Sequence, residues 1–451
     1  MSIFTEEYFK NMEESECIGI LAKDHKDNVI YQTDRKIYVE VKIKNKSELK
    51  RKKPEAKKWM SLQTFDTLPI ALVDSEKNEA YTGENENCKL SDLKGKNMIL
   101  IDAPAGVDVK TAFEKRMRDF KEVCKTFDLD EEKMFNHEVV IARRLAYNTL
   151  SEINGCEYVT KEENIQIDGS VRGALTYFEK TSVADCYDYD VNSLYPFCMS
   201  KTDFRFPLRI AEKKKVKSNY KIKVNPTKRL EIYKLKILGT HKYWRDTKDN
   251  YYNTYHIEIL NLLGIEYEID GNSKWVYNEP VKSSNIFSYF DKLYELKANN
   301  NKFAKMVMSS TWGALSREKA FEVRLEDLKE TSLNDIVQIR IDKGYAVLNS
   351  SLSNEPYKFK TARLKSFLLA YARLFMLKNI VLPLEERGHH VYLVNTDAVV
   401  TNANPDQMNF IYPISDAMGD LKIEKELKGV HDIVHLRSIQ KQHDIFEDID
   451  D

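Results

Sequence analysis

The sequence predicts an α+β fold with an α/β domain at the N-terminus, and three patterns favour this class. Apolar, strand-like runs at 68–73 and 98–102 are followed by helical periodicity, the alternation typical of an α/β domain. Residues 185–195 have the composition of a strand that ends in a turn at Pro196. Residues 391–400 have a strand–turn–strand pattern, so paired strands are expected in the C-terminal half.

The other elements follow from periodicity and turn residues. Helices are predicted over 107–127 and 136–153, and the N-terminal domain is expected to end near residue 160. Helices at 286–298 and 302–315 are joined by three asparagines, which predicts an antiparallel helical hairpin. Two further elements are strands within 324–352 and a long helix with one apolar face over 359–381.

Length and composition limit the class of protein. The 451 residues are enough for two or three domains of about 150 residues. Apolar residues make up 42% and charged residues 31%, which is typical of a soluble globular chain. The six cysteines form no Cys-x-x-Cys pair and no run of 18 apolar residues occurs, so disulfide-rich secreted and membrane-spanning classes are not expected. We expect a reducing, cytoplasmic setting.

Positive charge is concentrated in two segments, although the net charge is only −1. Residues 41–58 carry nine Lys or Arg against two Glu, and residues 201–250 carry 16 Lys or Arg against five Asp or Glu. Aromatic residues are interleaved in the second segment, at Tyr220, Tyr233, Tyr243 and Trp244. Basic residues with scattered aromatics suit a nucleic-acid backbone and unstacked bases. A lysine-coated β-sheet is the alternative.

The run 188–196, Asp-Tyr-Asp-Val-Asn-Ser-Leu-Tyr-Pro, is the strongest candidate for a chemical site. An aspartate that ends a buried apolar strand is costly unless it is paired or binds a metal. The turn after it brings backbone N–H groups and a tyrosine ring into one small space, which suits a metal ion, a triphosphate and a sugar. The candidate residues are Asp190, Val191, Ser193, Leu194 and Tyr195.

Two further clusters are candidates for chemistry. Asn395-Thr396-Asp397 places a carboxylate at a hairpin tip between two apolar strands. Lys305 is followed by Ser309, Trp312 and Gly313, which lie on or near the same helical face. A cation beside a flat aromatic surface suits phosphate binding and base stacking. The alternatives are that Asp397 is a plain turn residue and Lys305 a solvated helix lysine.

These clusters resemble, in order, the three polymerase motifs of family B DNA polymerases. Residues 190–196 resemble motif A, 305–313 resemble motif B, and 395–397 resemble motif C. Val171-Arg172-Gly173-Ala174 and Tyr371-Ala372-Arg373 resemble the linker and helix motifs of the protein-primed phage and plasmid branch. The resemblance covers about residues 136–440.

The resemblance implies a right-hand polymerase, with an antiparallel-sheet palm, two-helix fingers and a reduced thumb. The implied domains are an N-terminal α/β domain of degenerate exonuclease-like or unrelated fold (1–160), palm with motif A and a basic insertion (161–285), fingers (286–316), a second insertion and palm with motif C (317–420), reduced thumb (421–442) and acidic tail (443–451). One exonuclease-like pattern occurs, Asp74-Ser75-Glu76. It lies too few residues before motif A to leave room for a whole exonuclease domain, and it is expected to be a solvated turn.

The resemblance also implies two-metal nucleotidyl transfer. Asp190, Asp397 and the Val191 carbonyl would hold two Mg²⁺ ions, with Mn²⁺ as a substitute. Lys305 would contact the incoming dNTP, with Ser309 and Trp312 beside it. Tyr195 would stack under the sugar and exclude a 2′-hydroxyl. The implied DNA contacts are Arg172, Gly173, Arg373, Lys213, Lys214 and Lys215, and Arg172 and Arg373 are alternatively bracing residues.

Three departures from the family pattern bear on activity. Motif C has Asn395 where its first Asp is usual, so a third carboxylate is missing. Motif B has Ser309 and Trp312 where Asn and Tyr are usual. Residues 421–442 form only a short thumb, in which Arg437-Ser438-Ile439 replaces a Lys-x-Tyr motif. Residues 442–446, Gln-His-Asp-Ile-Phe, resemble a sliding-clamp-binding peptide that would offset low processivity.

Three functions therefore remain open from the sequence. The first is a template-directed DNA polymerase that extends a primer or a terminal-protein hydroxyl in phage or plasmid replication. The second is a catalytically weak or inactive polymerase-like subunit that binds nucleic acid. The third is a primase-like or template-independent nucleotidyl transferase.

Overall fold

The structure is a computed structural model. It describes residues 17–23, 29–33, 37–40, 70–74, 77–82, 88–93, 99–104, 106–134, 137–151, 153, 155–179, 182–183, 185–217, 222–245, 250–319, 321–324, 336–340, 345–348, 356–429 and 431–432. The basic segment 41–58, Tyr220 and the clamp-like peptide 442–446 lie outside the described residues.

The strands are β1 (Cys17–Lys23), β2 (Val29–Thr33), β3 (Ile37–Glu40), β4 (Ile70–Asp74), β5 (Glu79–Tyr81), β6 (Cys88–Lys89), β7 (Ile99–Asp102), β8 (Thr176–Phe178), β9 (Ser182–Val183), β10 (Cys186–Val191), β11 (Arg205–Phe206), β12 (Glu212–Lys215), β13 (Arg229–Ile237), β14 (Asn250–Asn253), β15 (Tyr267–Asn278), β16 (Val281–Lys282), β17 (Phe321–Arg324), β18 (Ile336–Arg340), β19 (Tyr345–Leu348), β20 (Val391–Asn395), β21 (Ala398–Thr401), β22 (Leu421–Leu427) and β23 (His431–Asp432). The helices are α1 (Leu90–Leu93), α2 (Val109–Thr126), α3 (Glu131–Met134), α4 (Glu138–Leu150), α5 (Lys161–Gly169), α6 (Leu194–Lys201), α7 (Thr254–Leu262), α8 (Ser284–Phe287), α9 (Phe290–Ala298), α10 (Lys302–Leu315), α11 (Leu364–Met376), α12 (Leu382–Glu386) and α13 (Pro405–Asn409), and a π-helical turn, Leu377–Val381, joins α11 to α12.

The chain divides into two compact units. The first consists of 1–60, 158–165 and 317–358, and the second of 61–157, 166–316 and 359–451. The first unit contains two antiparallel three-stranded sheets, with strand orders β1-β2-β3 and β17-β19-β18. The strands predicted within 324–352 are confirmed as β18 and β19 of the latter sheet.

The N-terminal sheet of the second unit has the order β6-β5-β4-β7. Strands β4 and β7 are parallel, and β5 and β6 are antiparallel to their neighbours. Helix α2 begins at Asp108, whose carboxylate accepts hydrogen bonds from the backbone of Lys110 and Thr111. Asp74 ends β4, and its carboxylate accepts the Lys77 N–H at 3.0 Å. Strands β4 and β7 are followed by helices α2 and α4, which confirms the pattern of strands and helices predicted before residue 160.

The central sheet of the second unit is antiparallel, with the order β22-β10-β21-β20-β8. One cluster of its core is formed by Cys186, Leu393 and Val400, all nearly inaccessible to water. Because side chains alternate along a strand, Asp188 and Asp190 lie on the same face of β10. The predicted turn at Pro196 is wrong: the turn occurs at residues 192–193, and Pro196 lies in the first turn of α6, where its missing N–H costs nothing.

The inserted sheet lies between β10 and the helical hairpin along the chain, with the order β12-β15-β13-β14. Its first strand exposes Lys213, Lys214 and Lys215. The interleaved aromatics Tyr233, Tyr243 and Trp244 are at most 2% exposed. Their predicted role in stacking on bases is therefore wrong, because their rings form the core beneath a lysine-coated sheet.

The helical hairpin, α9 and α10, packs on the N-terminal helices of the same unit. Asn301 begins α10 by accepting the Ala304 N–H at 2.8 Å, and its Nδ2 donates to the Asp119 carbonyl at 3.0 Å. The Asp119 carboxylate accepts the Lys302 N–H at 3.1 Å. Helix α2 therefore provides hydrogen-bond partners for the first turn of α10.

Replacing Asp119 by alanine is expected to lower the free energy of unfolding by about 1–3 kcal/mol, because the Lys302 N–H loses its acceptor in a largely buried place. Chemical denaturation monitored by circular dichroism measures this change. The matched control is Lys121→Ala, an exposed position on the same helix. Equal unfolding free energies for the two variants would contradict the role given to Asp119.

Within the described part of the chain, the helical stretch Leu364–Glu386 is long and apolar enough to cross a membrane. In its most apolar window, 67% is buried inside the protein, and Phe367, Leu368 and Ala370 are core residues. Length and apolarity are weak evidence here, because a core helix passes the same test.

Candidate active site at one end of the central sheet

The structure brings Asp190 and Asp397 together at one end of the central sheet. Asp190 is the penultimate residue of β10, and Asp397 lies in the two-residue turn between β20 and β21. The Val191 N–H donates to the Asp397 carbonyl at 3.0 Å. We call Asp190 and Asp397 the carboxylate pair.

The carboxylate pair lies in a field that favours a cation. Burial, followed by the nearby charge of Asp397, raises the pKa of Asp190 to about 8. Two carboxylates close together resist simultaneous ionisation, and a proton or a metal ion relieves that repulsion. The pair therefore provides hard oxygen ligands at a place where positive charge is stabilised.

Both turns beside the carboxylate pair contain a strained residue. Ser193 has φ +58° and Thr396 has φ +64°. Both values lie in the left-handed region, which costs residues other than glycine about 1 kcal/mol or more. The Thr396 N–H donates to the Leu175 carbonyl at 2.9 Å, which holds the hairpin tip. Positive φ at the first position of a two-residue hairpin loop is usual and accounts for Thr396, and both turns place backbone groups beside Asp190 and Asp397.

The loop 413–421 holds the turn that follows Asp190. The Asn192 N–H donates to the Asp420 carbonyl and its Nδ2 to the Ser415 carbonyl, both at 2.9 Å. The Gly419 N–H donates back to the Asn192 carbonyl at 2.8 Å. Nothing in the sequence distinguishes this loop, because its residue types are those of an ordinary turn.

Lysines face the carboxylate pair from the helical hairpin and from β22. Lys297 of α9 donates from Nζ to Ser193 Oγ at 2.9 Å. Burial, then the charges of Lys305 and Lys422, lower the pKa of Lys297 to about 8, whereas Asp190 opposes this shift. Lys422 Nζ lies 3.9 Å from Asp190 Oδ2. Lys297 and Lys422 were not found from the sequence, in which each resembles a solvated lysine.

Comparison with solved structures identifies the fold. The chain matches phi29 DNA polymerase complexed with single-stranded DNA at a TM-score of 0.50, over 79% of this chain and 60% of that one, with 14% identical residues. The complex of phi29 DNA polymerase with primer-template DNA and incoming nucleotide substrates gives the same TM-score and identity, over 79% and 61%. This chain has the fold of phi29 DNA polymerase.

Comparison with curated proteins finds a probable DNA polymerase of Podospora anserina, 24% identical over 291 residues. That match includes 53% of this chain but only 23% of the relative. No family model matches the sequence. Phi29 DNA polymerase is a protein-primed member of family B, so the resemblance read from the motifs is confirmed at the level of the fold.

Two aromatic residues of motifs A and B meet beside the carboxylate pair. The rings of Tyr195 and Trp312 lie 5.8 Å apart and are inclined by 46°. Burial, then the charge of Asp397, raise the pKa of Tyr195 to about 12, which keeps its hydroxyl neutral. The two tilted rings form an aromatic wall near Asp397.

The remaining motif residues have less direct positions. Val191 and Leu194 are at most 2% exposed, so neither side chain is available to a ligand. Ser309 Oγ donates to the Lys305 carbonyl one turn earlier at 2.9 Å. Asn395 ends β20 opposite Ala398.

The predicted DNA-contacting arginines stack on aromatic rings of the inserted sheet and its adjoining loop. Arg172 donates to the carbonyls of Gly169, Val171 and Tyr251, and its guanidinium lies 4.7 Å from the Tyr252 ring centre. This geometry favours the bracing alternative for Arg172.

Arg373 lies 5.2 Å from the Trp244 ring centre and its charge acts on Tyr195, so it lies on the Tyr195 side of the site. No atom lies within 4 Å of the place that a side chain at Gly173 would occupy, so this linker position is open to a ligand.

The residues present fit a pair of Mg²⁺ ions in chemistry, although they are few. Two carboxylates and a main-chain carbonyl are hard oxygen donors, and Mg²⁺ takes its remaining ligands from water and substrate phosphates. In the described residues, no group of three or more His, Cys, Asp or Glu side chains is placed to hold a metal. Metal binding would therefore depend on oxygen atoms that a nucleotide brings.

Proposed function

We propose that this protein is a DNA-directed DNA polymerase that adds dNTPs to a 3′-hydroxyl or to a terminal-protein hydroxyl. The observation that carries the proposal is the carboxylate pair, 207 positions apart in the sequence and adjacent in the fold, faced by lysines of the helical hairpin. Its fold is that of phi29 DNA polymerase, whose structures include primer-template DNA and incoming nucleotides.

The reaction joins the attacking hydroxyl oxygen to the α-phosphorus while the bond to pyrophosphate breaks. Two Mg²⁺ ions, when bound, activate the hydroxyl and neutralise the triphosphate charge. Asp190 and Asp397 would hold them, with the Val191 carbonyl as a further ligand. Lys297 and Lys305 would bind the triphosphate and stabilise the negative charge of the leaving pyrophosphate.

The substrate would be oriented by the aromatic wall. Tyr195 would lie against the sugar and exclude a 2′-hydroxyl, and Trp312 would pack beside the base. Arg373 would contact the primer–template backbone, and Lys213, Lys214 and Lys215 would contact DNA farther from the chemistry through their exposed charges. These residues bind and position the reactants, whereas the carboxylate pair holds the reacting centre.

The experiment that tests the proposal is primer extension with Mg²⁺ and the four dNTPs on templates of defined sequence. Incorporation dictated by the template supports the polymerase function. DNA binding without incorporation would support the inactive nucleic-acid-binding subunit, which Asn395 and Ser309 favour. Untemplated products or ribonucleotide primers would support the primase-like or template-independent transferase.

The primer and the accessory partners are separate parts of the proposal. The protein-primed branch implies a terminal protein, and adding dAMP to a serine, threonine or tyrosine hydroxyl of a partner protein would demonstrate it. The sliding-clamp contact through 442–446 and the cytoplasmic, phage or plasmid setting stay predictions.

Replacing Lys297 by alanine is expected to raise the KM for dNTPs about 10–100-fold, because a charge-assisted contact to the triphosphate is worth about 1.5–3 kcal/mol. Steady-state primer extension at varied dNTP concentration measures this effect. Lys292→Ala is the matched control, since Lys292 is exposed on the same helix. An unchanged KM in the Lys297 variant would show that this lysine does not bind nucleotide.

A further inference from the structure

Lys422 occupies an unusual place for a lysine in a site that binds divalent cations. Strand β22 pairs with β10 so that Lys422 lies directly opposite Asp190. Its Nζ is 3.9 Å from Asp190 Oδ2 and also contacts the Glu424 carboxylate. Side chains opposite one another on antiparallel strands share a face of the sheet, so this ammonium group lies on the face that carries the Asp190 carboxylate.

The charge of the site differs from that of the family pattern at Asn395. Motif C usually supplies a carboxylate where this chain has Asn395, which removes one negative charge. Lys422 places a positive charge 3.9 Å from the Asp190 carboxylate. Two lysines of the helical hairpin, Lys297 and Lys305, act on the same space, and Lys422 lies close enough to influence Lys297. A bare divalent cation would therefore meet these three ammonium groups together with the carboxylate pair and two acidic neighbours, Asp188 and Glu424, of which Glu424 is itself in contact with Lys422.

We propose that Lys422 couples divalent-metal binding to nucleotide binding, by pairing with Asp190 until a triphosphate arrives. This inference rests on the proposed function. Lys422 and a metal ion compete for the same carboxylate, so the bare site binds the metal weakly. A triphosphate offers Lys422 other anionic oxygens and itself brings ligands for the metal. Each ligand then strengthens the binding of the other by the same factor, as linkage requires.

The test measures metal affinity without any catalytic turnover. Free Mn²⁺ is quantified by electron paramagnetic resonance at pH 8.5, above the pKa of about 8 of Asp190, so that this carboxylate is largely ionised. The measurement is made with and without a non-hydrolysable dNTP analogue, and without DNA. In the wild type, the analogue is expected to strengthen Mn²⁺ binding. In Lys422→Met, Mn²⁺ binding without the analogue is expected to become about tenfold tighter, a factor within the roughly 5–150-fold range typical of coupling between sites. The analogue is then expected to strengthen Mn²⁺ binding less than it does in the wild type.

Two further variants separate charge from structure. Lys422→Arg keeps the positive charge and is expected to retain the wild-type dependence of Mn²⁺ affinity on nucleotide. Lys428→Met removes a lysine that is 78% exposed just beyond the far end of β22 and is expected to behave as the wild type. Circular dichroism establishes that each variant is folded, and Lys422→Gln serves as a second neutral variant.

The results distinguish this inference from the proposed function. If Lys422→Met and Lys422→Gln bind Mn²⁺ no more tightly than the wild type, while the wild type extends primers, the role of Lys422 is refuted and the polymerase proposal stands. If the wild type neither binds Mn²⁺ with nucleotide nor extends primers, both are refuted. Tighter Mn²⁺ binding by the two neutral variants, but not by Lys422→Arg, supports the coupling.

Discussion

Replacing Asp190 by asparagine is expected to lower the rate of primer extension by about a thousandfold or more while DNA affinity stays nearly unchanged. The amide is close in size to the carboxylate but has no negative charge to hold a metal ion. Charge stabilisation by a bound metal is worth several kcal/mol, and each 1.4 kcal/mol is about tenfold in rate. Primer extension and DNA binding by fluorescence anisotropy measure the two quantities.

The same variant is expected to be more stable than the wild type at pH 8 when divalent metals are chelated. The pKa of Asp190 rises from 3.8 to about 8 in the folded protein, so the folded state binds this proton more tightly than the unfolded state does. That stabilisation is complete below pH 4 and is lost as the pH rises through 8. Asparagine does not ionise, so the difference in Tm should nearly vanish at pH 4.

The matched control is Asp185→Asn, an exposed aspartate just before the same strand. It should change neither primer extension nor the pH dependence of Tm. Full activity in the Asp190 variant would show that the carboxylate pair takes no part in catalysis. Equal Tm values of wild type and variant at pH 8 would contradict the electrostatic strain described for the pair.

The carboxylate pair was predicted because Asp190 and Asp397 lie in segments that resemble motifs A and C of family B DNA polymerases, in the same order along the chain. Asp190 follows an apolar strand and Asp397 lies between two apolar strands, and both patterns are local. The helical hairpin was also predicted, since periodicity and three asparagines specify two helices and the turn between them. What joins these local patterns is the pairing of β10 with β21, which places Asp190 opposite Ala398, the residue after Asp397.

Lys297 and Lys422 could not be predicted because their roles depend on contacts distant in sequence. Lys422 acquires its partner from the register of β22 against β10, and a shift of one residue would turn it to the other face. Lys297 meets Ser193 only when the hairpin packs on the start of α6. A lone lysine on a helix or strand is usually solvated, so nothing local distinguished these two.

The inserted sheet shows the opposite error, since the packing of its aromatic residues does not support the base-stacking role that its composition suggested. Counting charges and aromatics over 201–250 does not reveal which side of a strand is buried. In the fold, Tyr233 donates from its hydroxyl to Glu231 at 2.9 Å and receives Lys274 Nζ at 3.1 Å, inside a closed polar network. Trp244 packs under Arg373 instead of stacking on a base.

Replacing Gly419 by alanine is expected to destabilise the protein by about 3 kcal/mol or more and to reduce activity at the same time. Gly419 has φ +96°, which alone disfavours a side chain. A Cβ at this position would lie well under 3.0 Å from the Phe197 ring, which packs edge-to-face on Phe375 at 5.3 Å. Relief would move the loop that holds Asn192, and with it the turn after Asp190.

Chemical denaturation and primer extension measure these two effects. Gly264→Ala is the matched control, because Gly264 has φ +66° and open space around a Cβ, so it isolates backbone strain at about 1 kcal/mol. Adding Phe197→Ala to the Gly419 variant removes the ring that clashes. The double variant should then be destabilised by less than the sum of the two single changes. If the two costs simply add, or if Gly419→Ala costs no more than Gly264→Ala, the close packing of the loop against α6 does not position the turn beside Asp190.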